Sequence, residues 1–267
     1  MKRTSLIFLL ISGTASFAQI PEPASAPEDT TNYVISRYKI KDQTFFIKLD
    51  STNAEHYYNR GIAYADMNDL KAALKDLDKC ISLDPKQEAP YYKRGGVYDR
   101  LGEYEKAVAD FSKVIELDPP FEWAYSDRAT LLTELKQYDK AEADLEKALE
   151  LKPNWSVALS NYARVESEKG DKTKAIEYYK KAIESDNKNY LAMNNLGFIY
   201  FEQKDYKTAI QYYTSAIAVY PGYFNAIRNR ADAKTASGDS IGACEDLRSA
   251  ASKGDEKAKG LLKGVCK

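Results

Sequence analysis

One histidine, three cysteines and two tryptophans are spread through 267 residues. With His56 as the sole imidazole, histidine-built metal sites and Ser–His or Cys–His nucleophilic triads are excluded. There is no glycine-rich phosphate loop either. An enzyme here would have to work with carboxylates alone, and acid pairs such as Asp76 and Asp78 sit at helical positions that the organisation described below explains. The reading is a non-enzyme with no cofactor. Apolar runs are as scarce: Leu6 to Ile11 falls well short of the roughly 20 residues that span a bilayer. Neither sign of charge dominates, with 39 Lys and Arg facing 40 Asp and Glu. That balance gives no electrostatic case for nucleic acid, and no basic run suggests a membrane surface.

The N-terminus carries the one targeting signal. Met1-Lys2-Arg3, the apolar run, and then Ser16-Phe17-Ala18 before Gln19 have the form of a signal peptide with a small-x-small cleavage site. Residues 1–18 are therefore expected to direct export to the periplasm or outside, with no direct membrane insertion after cleavage. Residues 19–32, with Pro21, Pro23 and Pro27, read as a disordered linker.

What the chain has in abundance is periodicity. Pro85, Pro119, Pro153 and Pro221 are spaced at 34 residues or twice 34, with Asn187 in the vacant slot. A fixed period of this length indicates a stack of helix–turn–helix units that bury their apolar faces only against neighbours. The units are 54–87, 88–121, 122–155, 156–189, 190–223 and 224–257. A polar break splits each one, at Asn68, Gly102, Lys136, Gly170, Lys204 and Gly238. Ala73, Ala107, Ala141, Ala175, Ala209 and Ala243 form a small row in the second helices, and Gly61, Gly95, Ala129, Ala163, Gly197 and Ala231 form one in the first. Leu49-Asp50-Ser51 lies one period before Leu83-Asp84-Pro85, so 33–53 reads as a degenerate N-terminal capping helix; 255–267 reads as a C-terminal one.

Segments such as Tyr91-Tyr92-Lys93-Arg94-Gly95 and Ala107-Val108-Ala109-Asp110-Phe111 through Leu117-Asp118-Pro119 resemble the tetratricopeptide repeat family across residues 54–257. The resemblance implies an all-α, right-handed superhelical solenoid of antiparallel helix pairs, about six repeats plus the C-terminal cap. It implies a concave binding surface but names no ligand. The family's carboxylate clamp is disfavoured, because Tyr58 and Ile62 occupy registers where it needs lysine and asparagine.

Arg60, Arg94, Arg128 and Arg230 share one first-helix register, and the same four units carry Asp76, Asp110, Asp144 and Asp246 in the second helix. Units four and five replace them with Tyr162 and Tyr178, and with Leu196 and Tyr212. This covariation within one chain predicts four buried Arg–Asp pairs and makes the arginine stripe structural. The fourth unit also carries Glu166 where others have tyrosine, a costly carboxylate unless paired or exposed.

The adjacent register, expected to face the groove, reads Asn59, Lys93, Asp127, Asn161, Asn195 and Asn229. An amide donates and accepts, so an asparagine ladder can hold the backbone of an extended peptide; it can equally do no more than solvate the groove. Tyr58, Tyr92, Trp123, Asn194, Phe198, Arg164 and Arg228 complete the candidate binding set. Cys80 falls in a small core register. Cys244 and Cys266 form a disulfide candidate, with isolated thiols as the alternative. The functional expectation is a non-catalytic scaffold of the periplasm or cell envelope binding a protein or extended peptide segment. A glycan- or peptidoglycan-recognising envelope protein is the alternative.

Overall fold

A computed structural model describes residues 30–266, which form fourteen helices and no strand. The expected signal peptide, and the linker as far as residue 29, lie outside the described residues. Helix α1 (Thr30–Leu49) begins inside the stretch read as linker, since no breaker follows Pro27. Six antiparallel pairs follow: α2 (Ala54–Asp66) with α3 (Leu70–Leu83), α4 (Glu88–Arg100) with α5 (Tyr104–Leu117), and α6 (Glu122–Glu134) with α7 (Tyr138–Leu151). The next three are α8 (Ser156–Lys169) with α9 (Lys172–Ser185), α10 (Tyr190–Glu202) with α11 (Tyr206–Val219), and α12 (Phe224–Ala236) with α13 (Ser240–Ser252). Helix α14 (Glu256–Val265) closes the array.

Each pair turns on a left-handed residue. Gly102, Gly170 and Gly238 adopt positive φ, as do Asn68, Lys136 and Lys204 at 58–64°. Asp69, Asp171, Asp205 and Asp239 then cap the second helices by accepting from the N–H three residues on. The six alanines of the second-helix row are all fully buried. Across from them the first helix comes so close that a Cβ on Gly95 would sit 2.9 Å from the Phe111 ring, and one on Gly197 2.9 Å from Tyr213. Small residues and large rings are thus matched across the pair.

The four arginines each grip their aspartate through two nitrogens: Arg60–Asp76, Arg94–Asp110, Arg128–Asp144 and Arg230–Asp246, all at 2.6–2.9 Å. The third nitrogen reaches back to the preceding second helix. Nη1 donates to Thr44 at 3.0 Å, Asp78 at 2.7 Å, Ser112 at 2.9 Å and Thr214 at 3.1 Å respectively. These acceptors share one register, which places α1 in the slot of a second helix. Where the arginine is missing, Tyr162 stacks on Tyr178 at 4.3 Å and Tyr200 on Tyr212 at 5.6 Å, while Leu196 is fully buried. Glu166 is 1% exposed, and Lys174 Nζ donates to it at 2.9 Å, so the fourth unit's odd carboxylate is paired. His56 bonds Gln43 at 2.9 Å and stacks on Phe46, tying α2 to α1.

At the far end a disulfide joins Cys244 of α13 to Cys266 after α14, with Cα atoms 5.3 Å apart. Closing a loop of this size contributes about 3 kcal/mol in the chain-entropy model. Cys80 is a buried free thiol whose pKa burial pushes up to about 11. Alkylation in denaturant without reductant, read by mass spectrometry, is therefore expected to label one cysteine, and labelling of three would contradict the bridge.

Candidate functional site

The first helices of successive units lie side by side and present one continuous face, the concave wall of the solenoid. A polar rung crosses every step along it. Arg100 Nη1 donates to the Ala65 carbonyl at 2.9 Å, joining α4 to α2. Tyr92 Oη donates to Asp127 at 2.6 Å, joining α4 to α6. Asn161 Nδ2 donates to Ser126 Oγ at 3.0 Å, and Arg164 donates to Glu134 at 2.6 Å and to the Thr130 carbonyl at 3.1 Å. Asn189 Nδ2 reaches Ser160 at 2.9 Å, and Asn229 Nδ2 reaches Asn194 Oδ1 at 3.0 Å. Arg228 ends the series on Asp255 and Asn225.

This geometry sorts the expected site residues. Asn161, Asn194, Asn195, Asn229, Tyr92, Arg164 and Arg228 are gathered on one wall, but each commits part of its bonding capacity to a neighbouring residue of its own chain. Asn195 accepts from Asn194 at 3.2 Å and also bonds the Tyr179 hydroxyl. An asparagine side chain offers two donors and two acceptor lone pairs, so one rung leaves capacity for a ligand. Lys93 is exposed, with Nζ 6.0 Å from the Tyr92 ring centroid. Tyr58, Asn59 and Phe198 are half-buried. Trp123 packs edge-on against Trp155 at 4.5 Å and is 39% exposed. Phe201 lies against Tyr206 and the cluster holding Tyr213 and Ala233, so it packs internally.

Sequence reasoning missed Asp127 as the group with unusual chemistry, and missed Ser126 and Ser160 as rung partners. A signal was present: four of these rungs link residues 35 apart, one period plus one. Burial pushes the Asp127 carboxyl up to about 7, the nearby charge of Asp99 adds to the rise, and the Tyr92 hydrogen bond opposes it. Asp99 itself is 4% exposed. Burial likewise pushes the Tyr92 hydroxyl well above its ordinary range. No group of three or more His, Cys, Asp or Glu able to hold a metal ion occurs among the described residues.

The folded chain thus keeps a proton on Asp127 that the unfolded chain has released above about pH 4, so this group's contribution to stability falls as pH rises from about 4 to about 7. Asp127→Asn retains an acceptor for Tyr92. It is expected to raise the melting temperature above pH 7 and leave it unchanged below pH 4, and a gain independent of pH would contradict the burial of an ionisable carboxylate.

The tetratricopeptide repeat model matches residues 54–87 and 89–121, and the model of the cytochrome c-type biogenesis protein H TPR domain matches 121–222. No curated protein sequence matches significantly. Among solved structures, a tetratricopeptide repeat protein from Parabacteroides merdae is 21% identical, covering 89% of this chain and 100% of its own, with a TM-score of 0.72. A chain of the APC/C hetero-tetramer Cut9–Hcn1 is 18% identical with a TM-score of 0.70; the match covers 90% of this chain and 46% of that one, so this chain spans under half its length. YrrB, described as a TPR protein with an unusual peptide-binding site, is 25% identical over 69% of this chain and 95% of its own, with a TM-score of 0.53. Helix pairing, the register of its small residues and both family models agree: the chain belongs to the tetratricopeptide repeat family.

Proposed function

We propose that this chain is a non-catalytic scaffold of the periplasm or cell envelope, holding an extended protein segment along its concave wall. The observation that carries the reading is the wall itself, where polar rungs leave amide capacity between aromatic side chains. Amides spaced by one helix-pair step suit the regularly spaced N–H and C=O groups of an extended backbone, which can be held without reading its side chains. Tyr58, Tyr92 and Phe198 add contact area at low entropic cost. The resemblance to YrrB supports a peptide ligand, and the form of residues 1–18 supports export.

The glycan-binding alternative separates from this reading experimentally. Wild type and Asn161→Ala/Asn195→Ala, shown to melt alike, are offered to an envelope fraction and their partners identified by crosslinking and mass spectrometry. Recovery of a protein by wild type, reduced about tenfold or more by the variant, supports the proposal. Retention of wild type on insoluble cell wall with no protein partner would sink it in favour of glycan recognition.

A further inference from the structure

The two ends of the solenoid differ. Helix α14 shields the C-terminal end and is bonded there by the disulfide, whereas α1 shields the N-terminal end and no other described element packs on its outer side. Ser36, Ile40, Gln43, Thr44 and Ile47 turn one side of α1 to α2, and between residues 32 and 49 they are its only buried or half-buried residues. Half a turn away, at spacings of four, seven and four, stand Val34, Tyr38, Phe45 and Leu49. They are far from buried: Tyr38 is 65% and Leu49 70% exposed. With Tyr33, Ile35 and Phe46, α1 carries seven of the large exposed hydrophobics, against six over all the other described residues. The apolar side chains of α1 thus lie mainly on the side away from α2, and a concentrated exposed patch marks an interaction surface.

The charges around the patch indicate what covers it. Arg37, Lys41 and Lys48 line one edge and Lys39 the other, all exposed, against the single acid Asp42. Four cations to one acid argue against a second α1, whose cations would meet their own kind. We propose that the outer face of α1 docks on an anionic lipid surface, lying in the interface with its aromatic and aliphatic side chains among the acyl chains and its lysines among the headgroups. Because that face points away from α2, docking leaves the concave wall open. No described helix is long and apolar enough to cross a membrane, and peripheral docking needs none.

Sedimentation of the full chain with vesicles tests this, using pure phosphatidylcholine and a mixture with about a quarter phosphatidylglycerol at about 0.1 M salt. Binding to the anionic vesicles alone is expected, weakening as salt rises. Phe45→Ser/Leu49→Ser and Lys39→Glu/Lys41→Glu should each lower the partition coefficient about tenfold or more, with unchanged circular dichroism and melting because these positions are exposed. Asp42→Asn should strengthen binding, since lipid offers that carboxylate no partner. Binding that ignores the α1 substitutions would place lipid contact elsewhere, in the Leu6–Ile11 run for example, and overturn the proposal. So would no binding to either vesicle, self-association abolished by Phe45→Ser/Leu49→Ser, or weaker vesicle binding by Asp42→Asn.

Discussion

In four of the six units, the concave wall depends on where one arginine is held. Its guanidinium fork takes both oxygens of an aspartate on its own second helix and, with the remaining nitrogen, a hydroxyl or carboxylate on the second helix before. Three helices are thereby fixed in rotation and height at one point. Coulombic gain is a poor explanation for this, because desolvating the pair costs about as much as the attraction returns. Geometry is the better one. Five donors in a rigid plane accept only one relative placement of the helices, and the small rows of alanine and glycine permit it by letting backbones approach closely.

That placement decides what the groove can be. The locked arginine row turns the neighbouring first-helix register of its own unit outward, so Asp127 and Asn229 reach the wall; they and Asn161 meet the preceding unit one period and one residue away. The wall is consequently part of the structure that supports it. Its amides are oriented before a ligand arrives, which lowers the entropic cost of binding. Asp127 is the exception, a carboxylate held where burial disfavours its charge and only a tyrosine hydroxyl is seen to bond it.

Much of this was legible in the sequence because repetition supplies its own controls. The replacement of Arg and Asp together in units four and five announced the pairing before any coordinate, and the left-handed break was visible wherever glycine or asparagine stood. Lys136 and Lys204 were less legible, since only the shared turn geometry forces a lysine to positive φ. The rungs were hidden for a different reason. Ser126 and Ser160 are unremarkable in one dimension, and a hydrogen bond between units depends on helix spacing that no single period reveals. The exposed side of α1 was hidden as well, because its apolar residues read as ordinary core until the missing neighbour is seen. Glu166 and His56 show the same limit, their partners Lys174, Gln43 and Phe46 being set by packing.

The claim that the arginine fork sets register is tested most directly by a double-mutant cycle on Arg128 and Asp144, with urea denaturation as the readout. Arg128→Met alone strands a buried aspartate and is predicted to cost about 3 kcal/mol, while Arg128→Met/Asp144→Leu should recover most of that loss. The double variant should still lose the cooperativity of unfolding between units, seen as a lower dependence of stability on denaturant. Additive single losses with an unchanged denaturant dependence would show that the pair merely decorates a solenoid held together by its apolar rows.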